Sequence, residues 1–366
     1  MPRAVCTLAL ALTLAGGSTA GARTVVVHSG ESIQAKIDAA SPGTTIRVEP
    51  GTYHEAGSIR AVTVSKAGIR LVGAARKGRP VVLEQSGTQT QGIWVSPDDS
   101  LAPADVELPP CGRPGGPRLA GFQLSGFTIQ GFDGFGVYLA CVDRFRLERN
   151  ETKANLTYAM FPVRSSQGRL TRNKASGTHS DACLYTGQDE KILVDHNEAT
   201  DCLIGLQIEN CQHVRMTHNR SVGNTAGMIV DVINGRQATI ASDNAVTHNE
   251  LRDNNRPNDA PPGLDTSRIL PGIGLVLDGA DRTLVAGNLI AGNHLAGVTL
   301  VNFCLGEPEL CMHPLDIDPY PDMNRFVGNR FEGNKSNLIY IPGNGQGNCF
   351  AHNRPKSVDA QLPSCR

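Results

Sequence analysis

The chain has 366 residues, enough for one long solenoid or two ordinary domains. Its 34 Lys+Arg stand against 35 Asp+Glu, so bulk charge gives no ground for a nucleic-acid or anionic-membrane partner. The 40 Gly and the low aromatic content of 5% suit many tight turns.

The first 22 residues read as a signal peptide. Arg3 precedes an apolar run from Leu8 to Leu14, and small residues end at Ala20-Gly21-Ala22, an A-x-A pattern with cleavage expected after Ala22. The run is too short to span a bilayer, and no later stretch is long enough. Cys6 lies before the apolar run, so a lipid-modified start is not expected. These features predict a secreted or periplasmic protein, with residues 23–366 as one domain and no transmembrane segment.

Thr24 to Val27 then reads as a strand. After it, Ile33 and Ile37 sit one turn apart behind Ser32, an N-cap residue type, and predict a short helix. Such a helix would cover the open end of a stack of strands. Short strands with Gly and Pro turns follow, and residues 96–118 read as an excursion rich in Pro and Gly.

From Gly121 onward a marker recurs: an apolar residue, two others, then Asn. It ends at Asn150, Asn173, Asn197, Asn219, Asn249, Asn288, Asn329 and Asn353. Four of the steps are near 23 residues and three are longer, which predicts stacked coils with insertions near 255–272 and 303–324. Most marker Asn side chains are expected to turn inward and bond the neighbouring coil, since Asn tolerates left-handed turns and satisfies buried peptide groups. A small residue opens the next strand of each coil: Gly136, Ala159, Ala182, Gly205, Gly227, Gly274 and Gly297. Alternation after the opener sends positions one and three inward. That places Val137, Leu139, Cys183, Tyr185, Leu206, Ile208, Met228, Val230, Leu275, Leu277, Val298 and Leu300 in the core.

Position four then points outward and reads Ala140, Val163, Thr186, Glu209, Asp231, Asp278 and Val301. Three consecutive coils thus carry Glu209, Asp231 and Asp278 about 4.8 Å apart. Like charges this close need a cation, a raised carboxyl pKa or a basic neighbour. Hard Ca²⁺, with its several oxygen ligands, suits such a column, and Glu209, Asp231 and Asp278 are its expected ligands. The same carboxylates can serve as general acid and base. The plainer alternative is a solvated acidic stripe. Position two offers Tyr138, Phe161, Gln207 and Thr299. The two rings would stack on sugar faces if exposed, or pack beneath a loop such as 96–118. The insertions flank this column and would wall a groove around it.

A second outward row reads Arg146, Arg169, Leu193, Arg215, Ala245, Leu284 and Arg325, a basic face for an anionic glycan. The residues before the marker Asn include His196, His218 and His248, which could share a metal, act as bases or stand solvated in turns. His179-Ser180-Asp181 offers an acid/base pair without a placed nucleophile. Lys191 and Arg215 are expected on a face other than the acidic column.

Nine cysteines follow the signal, so at least one stays unpaired in a monomer. Cys304 and Cys311 bracket a loop, Cys349 and Cys365 could tie down the C-terminus, and Cys111 could pair with Cys141. No dense metal-ligand spacing of Cys appears.

GESIQAKIDAASPGTTIRVEPGTYHE at the N-terminus resembles the cap and first coil of the pectate-lyase-like superfamily. MFPVRSS, SDACLYTGQ, GLQIENC and GMIVDV resemble an exported bacterial family of tandem parallel β-helix repeat proteins, which has no assigned reaction. The resemblance spans about residues 24–350 and implies an all-β, right-handed parallel β-helix with an N-terminal capping helix. That scaffold hosts several chemistries. The expected function is a monomeric, exported protein that binds a polysaccharide in the acidic groove. Glu209, Asp231 and Asp278 would be the reacting groups, and Tyr138, Phe161, Gln207 and Arg215 the substrate contacts. If it is an enzyme, it is a polysaccharide lyase, a glycoside hydrolase or a uronate epimerase. The alternative is a non-catalytic extracellular or envelope binding protein.

Overall fold

The computed structural model describes residues 23–98, 111, 115–341, 343–355 and 363–365. The expected signal peptide, and most of the excursion at 96–118, lie outside these residues.

Each central coil contributes one strand to each of three parallel sheets. The first has 12 strands and runs from Thr24–Val27 to Cys349–Ala351; the second and third have 10 each. In one coil these strands are Arg215–Thr217, Arg220–Val222 and Ala226–Asp231. The chain therefore forms a parallel β-helix. The interior is a continuous apolar column in which side chains stack on their own kind. In the first sheet Leu124, Leu147 and Leu170 align, then Val194, Met216 and Val246. All six are at most 1% exposed.

The turns explain the repeat. The residue before each marker Asn has a positive φ, as at Arg149, Arg172, His196, His218 and His248. This corrects the expectation that the Asn itself takes the left-handed conformation: its predecessor does, and the Asn is left to bond. Asn219 is typical. Its Oδ1 accepts the Asn197 N–H at 2.9 Å, its Nδ2 donates to the Val194 carbonyl at 2.9 Å, and its N–H donates to Asn249 Oδ1 at 2.9 Å. A buried peptide group without such a partner would destabilise the stack. A second Asn ladder, not anticipated from the marker, runs through Asn224, Asn254, Asn293 and Asn334 at the next corner.

Small openers are required by close approach. A Cβ on Gly227 would lie 2.4 Å from the Gly274 carbonyl oxygen of the next coil. One opener was misassigned. In the coil holding Tyr185, Leu184 pairs with Leu206 and Gly187 with Glu209. Cys183, not Ala182, is therefore the residue aligned with Gly205. Tyr185 consequently faces outward, Thr186 faces inward, and Gly187 replaces Thr186 in the acidic column's row. Cys183 is small enough for the corner and bridges to Cys202.

Ser32 caps a helix at Ile33–Asp38, accepting the Ala35 N–H, and Ile33 and Ile37 are buried against the first coils. Disulfides join Cys111–Cys141, Cys304–Cys311 and Cys349–Cys365 as well, and Cys211 is a buried free thiol. No helix among the described residues is long and apolar enough to cross a membrane.

Candidate functional site

The third sheet's outer face is where the insertions converge. Strands Ile204–Glu209, Ala226–Asp231 and Ile273–Asp278 pair in register, so Glu209 aligns with Asp231 and Asp231 with Asp278. The column is on adjacent coils, as the common offset predicts. It is not a solvated stripe: Glu209 is 3% and Asp231 8% exposed, and Asp278 is half-buried.

Burying like charges side by side has to be compensated, and the three carboxyl groups differ in how. Glu209 Oε1 meets Arg236 Nε at 2.9 Å. Arg236 comes from the insertion after Asp231, so the basic neighbour is delivered by a loop and not by Lys191 or Arg215. Asp231 Oδ2 accepts a hydrogen bond from Gln207 Nε2 at 3.0 Å. Burial, then the charges of Glu209 and Asp278, push the Asp231 carboxyl well above the usual range. Asp278 is pushed up to about 7, by burial first and then by Glu307. Glu307 belongs to the 303–324 insertion and pairs with Arg268 of the 255–272 insertion at 2.7 Å, which ties the two walls together.

Four polar atoms here are shut off from solvent and lack a hydrogen-bond partner: Gln207 Oε1, Asp231 Oδ1, Asp278 Oδ1 and Thr299 Oγ1. Gln207 and Thr299 belong to the row of position two, through Ile229 and Val276. Orphaned buried oxygens are uncommon and costly, so a cluster of them points to a missing donor or cation.

The other predicted contacts need correction. Tyr138 and Phe161 are fully buried, in a row that runs Trp94, Tyr138, Phe161, Tyr185. Trp94 stacks on Tyr138 with centroids 4.1 Å apart, and Phe161 meets Tyr185 edge-on at 4.4 Å. Cys111, Ala260 and Ile269 pack against this second apolar cluster, so the rings hold insertions down and do not face sugar. Arg215 is exposed on the first sheet, aligned with Leu193 and Ala245, and does not reach the column.

The His row forms a stack, with His196 and His218 at 4.9 Å and His218 and His248 at 5.3 Å. Asp195 Oδ1 lies 2.8 Å from His196 Nδ1 and 3.2 Å from His218 Nδ1. One ligand atom from each of Asp195, His196 and His218 lies within 4.8 Å of the others, so these three are close enough to share a metal ion. His179 lies near Asp201, Asp259 and Arg256, while Asp181 Oδ2 accepts the Tyr158 hydroxyl at 2.8 Å. Sequence reasoning missed Arg236, whose only signal was its place in the insertion after Asp231.

Residues 119–250 match the family model described as a right-handed β-helix region. No curated protein matches the sequence. Among solved structures, the A-module of the mannuronan C-5 epimerase AlgE4 from Azotobacter vinelandii is similar, with a TM-score of 0.61 and 15% identity over 91% of this chain and 93% of that one. The A-module of AlgE6 from the same organism gives 0.50 and 16% over 87% and 94%. A double mutant of the periplasmic alginate epimerase AlgG gives 0.53 and 12% over 90% and 77%. At these identities the likeness is one of architecture: the chain is a right-handed parallel β-helix.

Proposed function

We propose that this chain is an exported protein that binds an acidic polysaccharide across the outer face of the third sheet. The floor of the groove is Glu209 with Arg236, then Asp231 and Asp278. The observation that carries this reading is the set of orphaned buried atoms on Gln207, Asp231, Asp278 and Thr299. Sugar hydroxyls would supply the donors that these oxygens lack. The four disulfides among the described residues accord with export, as does the signal-like start of the chain. Three neighbours in fold are named as mannuronan or alginate epimerases, which favours a polyuronate as the first polymer to test.

The geometry suits chemistry at the carbon next to a uronate carboxylate. A carboxyl group near pH 7, such as Asp278, can take and return a proton at neutral pH. The Asp231 carboxyl, pushed well above its usual range by burial and by Glu209 and Asp278, lies beside this group, and Arg236 can offset the charge of a substrate carboxylate. Ca²⁺ also fits the donor set. Asp231, Asp278, Gln207 Oε1 and Thr299 would hold it, whereas Glu209 is engaged by Arg236. The ion would supply neutralisation of a uronate carboxylate.

The test is a thermal-shift and product screen of residues 23–366 against polyuronates and neutral glycans, with and without Ca²⁺. A ligand at a hundredfold excess over Kd adds about 2.7 kcal/mol of stability, and Asp231→Asn should abolish that gain while sparing the fold. A shift that survives Asp231→Asn, or no shift across the panel, defeats the reading. A new unsaturated end, a new reducing end or an inverted C5 would identify lyase, hydrolase or epimerase. Binding with none of these would identify a non-catalytic binder.

A further inference from the structure

The corner that joins the first sheet to the second carries imidazoles in three successive coils, at His196, His218 and His248. It is a different corner from the one beside the acidic column. The backbone here is fixed by the ladder. Each of the three takes a left-handed φ, between 53° and 56°, and each is followed by a buried marker Asn. The His196 N–H donates to the Thr217 carbonyl at 3.2 Å, and the His218 N–H to the Thr247 carbonyl at 3.2 Å. The Asn197 N–H bonds Asn219 Oδ1 at 2.9 Å. The rings are thus set one strand spacing apart by the coil itself.

One coil brings an acid to the same corner. The outward row beside the rings reads Thr171, Asp195, Thr217 and Thr247, and of these four only Asp195 is ionisable. Its Oδ1 is 2.8 Å from His196 Nδ1 and 3.2 Å from His218 Nδ1, so both rings aim the same nitrogen at one oxygen. Thr217 Oγ1 lies 3.1 Å from His218 Nδ1 as well. Arg172, one coil earlier in the row of the rings, is directed to Glu148 at 3.8 Å and does not take the Asp195 carboxylate.

We propose that Asp195, His196 and His218 form a surface site for a divalent transition ion of the zinc class. One ligand atom from each lies within 4.8 Å of the others. Ligand atoms held about 2.0–2.1 Å from such an ion stand about 2.9–3.4 Å apart, close to the spacing of the carboxylate from the two rings. Two imidazoles and one carboxylate suit Zn²⁺ and not Ca²⁺, which takes about 6–8 oxygen ligands. The ring planes of His196 and His218 are 18° apart, and the side chains are 54% and 50% exposed. A turn about each Cβ–Cγ bond, a soft torsion, brings both lone pairs onto one point. The ion displaces any proton carried at Nδ1, which passes to solvent. Three protein ligands leave at least one position for water or an anionic group. His248 stacks on His218 at 5.3 Å but stays outside the set. The site stands apart from the polysaccharide reading and does not depend on it.

The experiment is a calorimetric titration of tag-free residues 23–366 with ZnCl₂ in a non-coordinating buffer, with CaCl₂ as the control and imidazole NMR signals as a second readout. Zn²⁺ should bind as one equivalent and move the signals of His196 and His218, whereas Ca²⁺ should leave them in place. His196→Asn and His218→Asn keep a residue that tolerates the left-handed turn, and each should weaken Zn²⁺ by at least about tenfold. Asp195→Asn should weaken it too. His54→Asn, at an exposed His paired with Glu84, should have no effect. Absence of Zn²⁺ binding would overturn the site and leave a hydrogen-bonded Asp and two rings. Binding that survives His218→Asn, or that leaves the His196 and His218 signals unmoved, would place the ion elsewhere and overturn it equally.

Discussion

At the scale of single residues, what matters is whether each buried polar atom finds a partner. Asn219 is 1% exposed and bonds both neighbouring coils. Asn219→Ala should cost about 1–3 kcal/mol, the penalty for leaving buried peptide groups unsatisfied, read as a lower denaturation midpoint with an unchanged m-value. Arg236→Gln should be harsher than its place in a loop suggests. It strips the charge partner from Glu209, which is 3% exposed, and should destabilise by about 3–5 kcal/mol; the double variant with Glu209→Gln should recover much of this. Asp278 makes a pH prediction. Its folded value of about 7 lies above the ordinary 3.8, so the folded state holds the proton longer than the unfolded one. Stability from this group is therefore fully present below about pH 4 and is lost as pH rises toward 7. Wild type should lose about 2–4 kcal/mol relative to Asp278→Asn between those limits, measured by denaturant titration at several pH values.

At the scale of elements, the third sheet differs from the other two in being buried on both faces. Its inner face joins the common core, while its outer face carries the ladder from Trp94 to Tyr185, pinned under the insertions. Trp94 is the chain's single Trp and is fully buried, so its emission should be blue-shifted, and red-shift on loosening of this outer layer. Trp94→Ala should cost about 3–5 kcal/mol, as for other large core truncations. The Cys183–Cys202 bridge spans 19 residues and joins neighbouring coils. A loop of that size is worth about 3 kcal/mol, and replacing both cysteines with Ala should lower the melting temperature accordingly.

At the scale of the whole molecule, the central coils contact their neighbours through the same three parallel pairings, so stability is close to a sum of coil and interface contributions. The acidic column sits in the middle of this stack, where both neighbours brace it. The insertions then convert one flank of a uniform rod into a walled surface. Alternation and period carry no information about where a loop folds back, and this is why the face with long insertions is also the face where exposure was misjudged.

The amino-acid sequence by itself determined the coil period, the Asn ladder, the capping helix and the alignment of Glu209, Asp231 and Asp278. All of these follow from local turn chemistry and from the strict alternation of a strand, which act over a few residues. The tertiary structure alone decided that the column is buried, that Arg236 reaches Glu209, and that Tyr138 and Phe161 are packing rings. It also moved Tyr185 outward, because Cys183 and Ala182 are both small enough to open a strand and only pairing with the next coil chooses between them. Each of these outcomes depends on loops returning over a sheet from tens of residues away, and the energies that place them come from contacts no local pattern encodes.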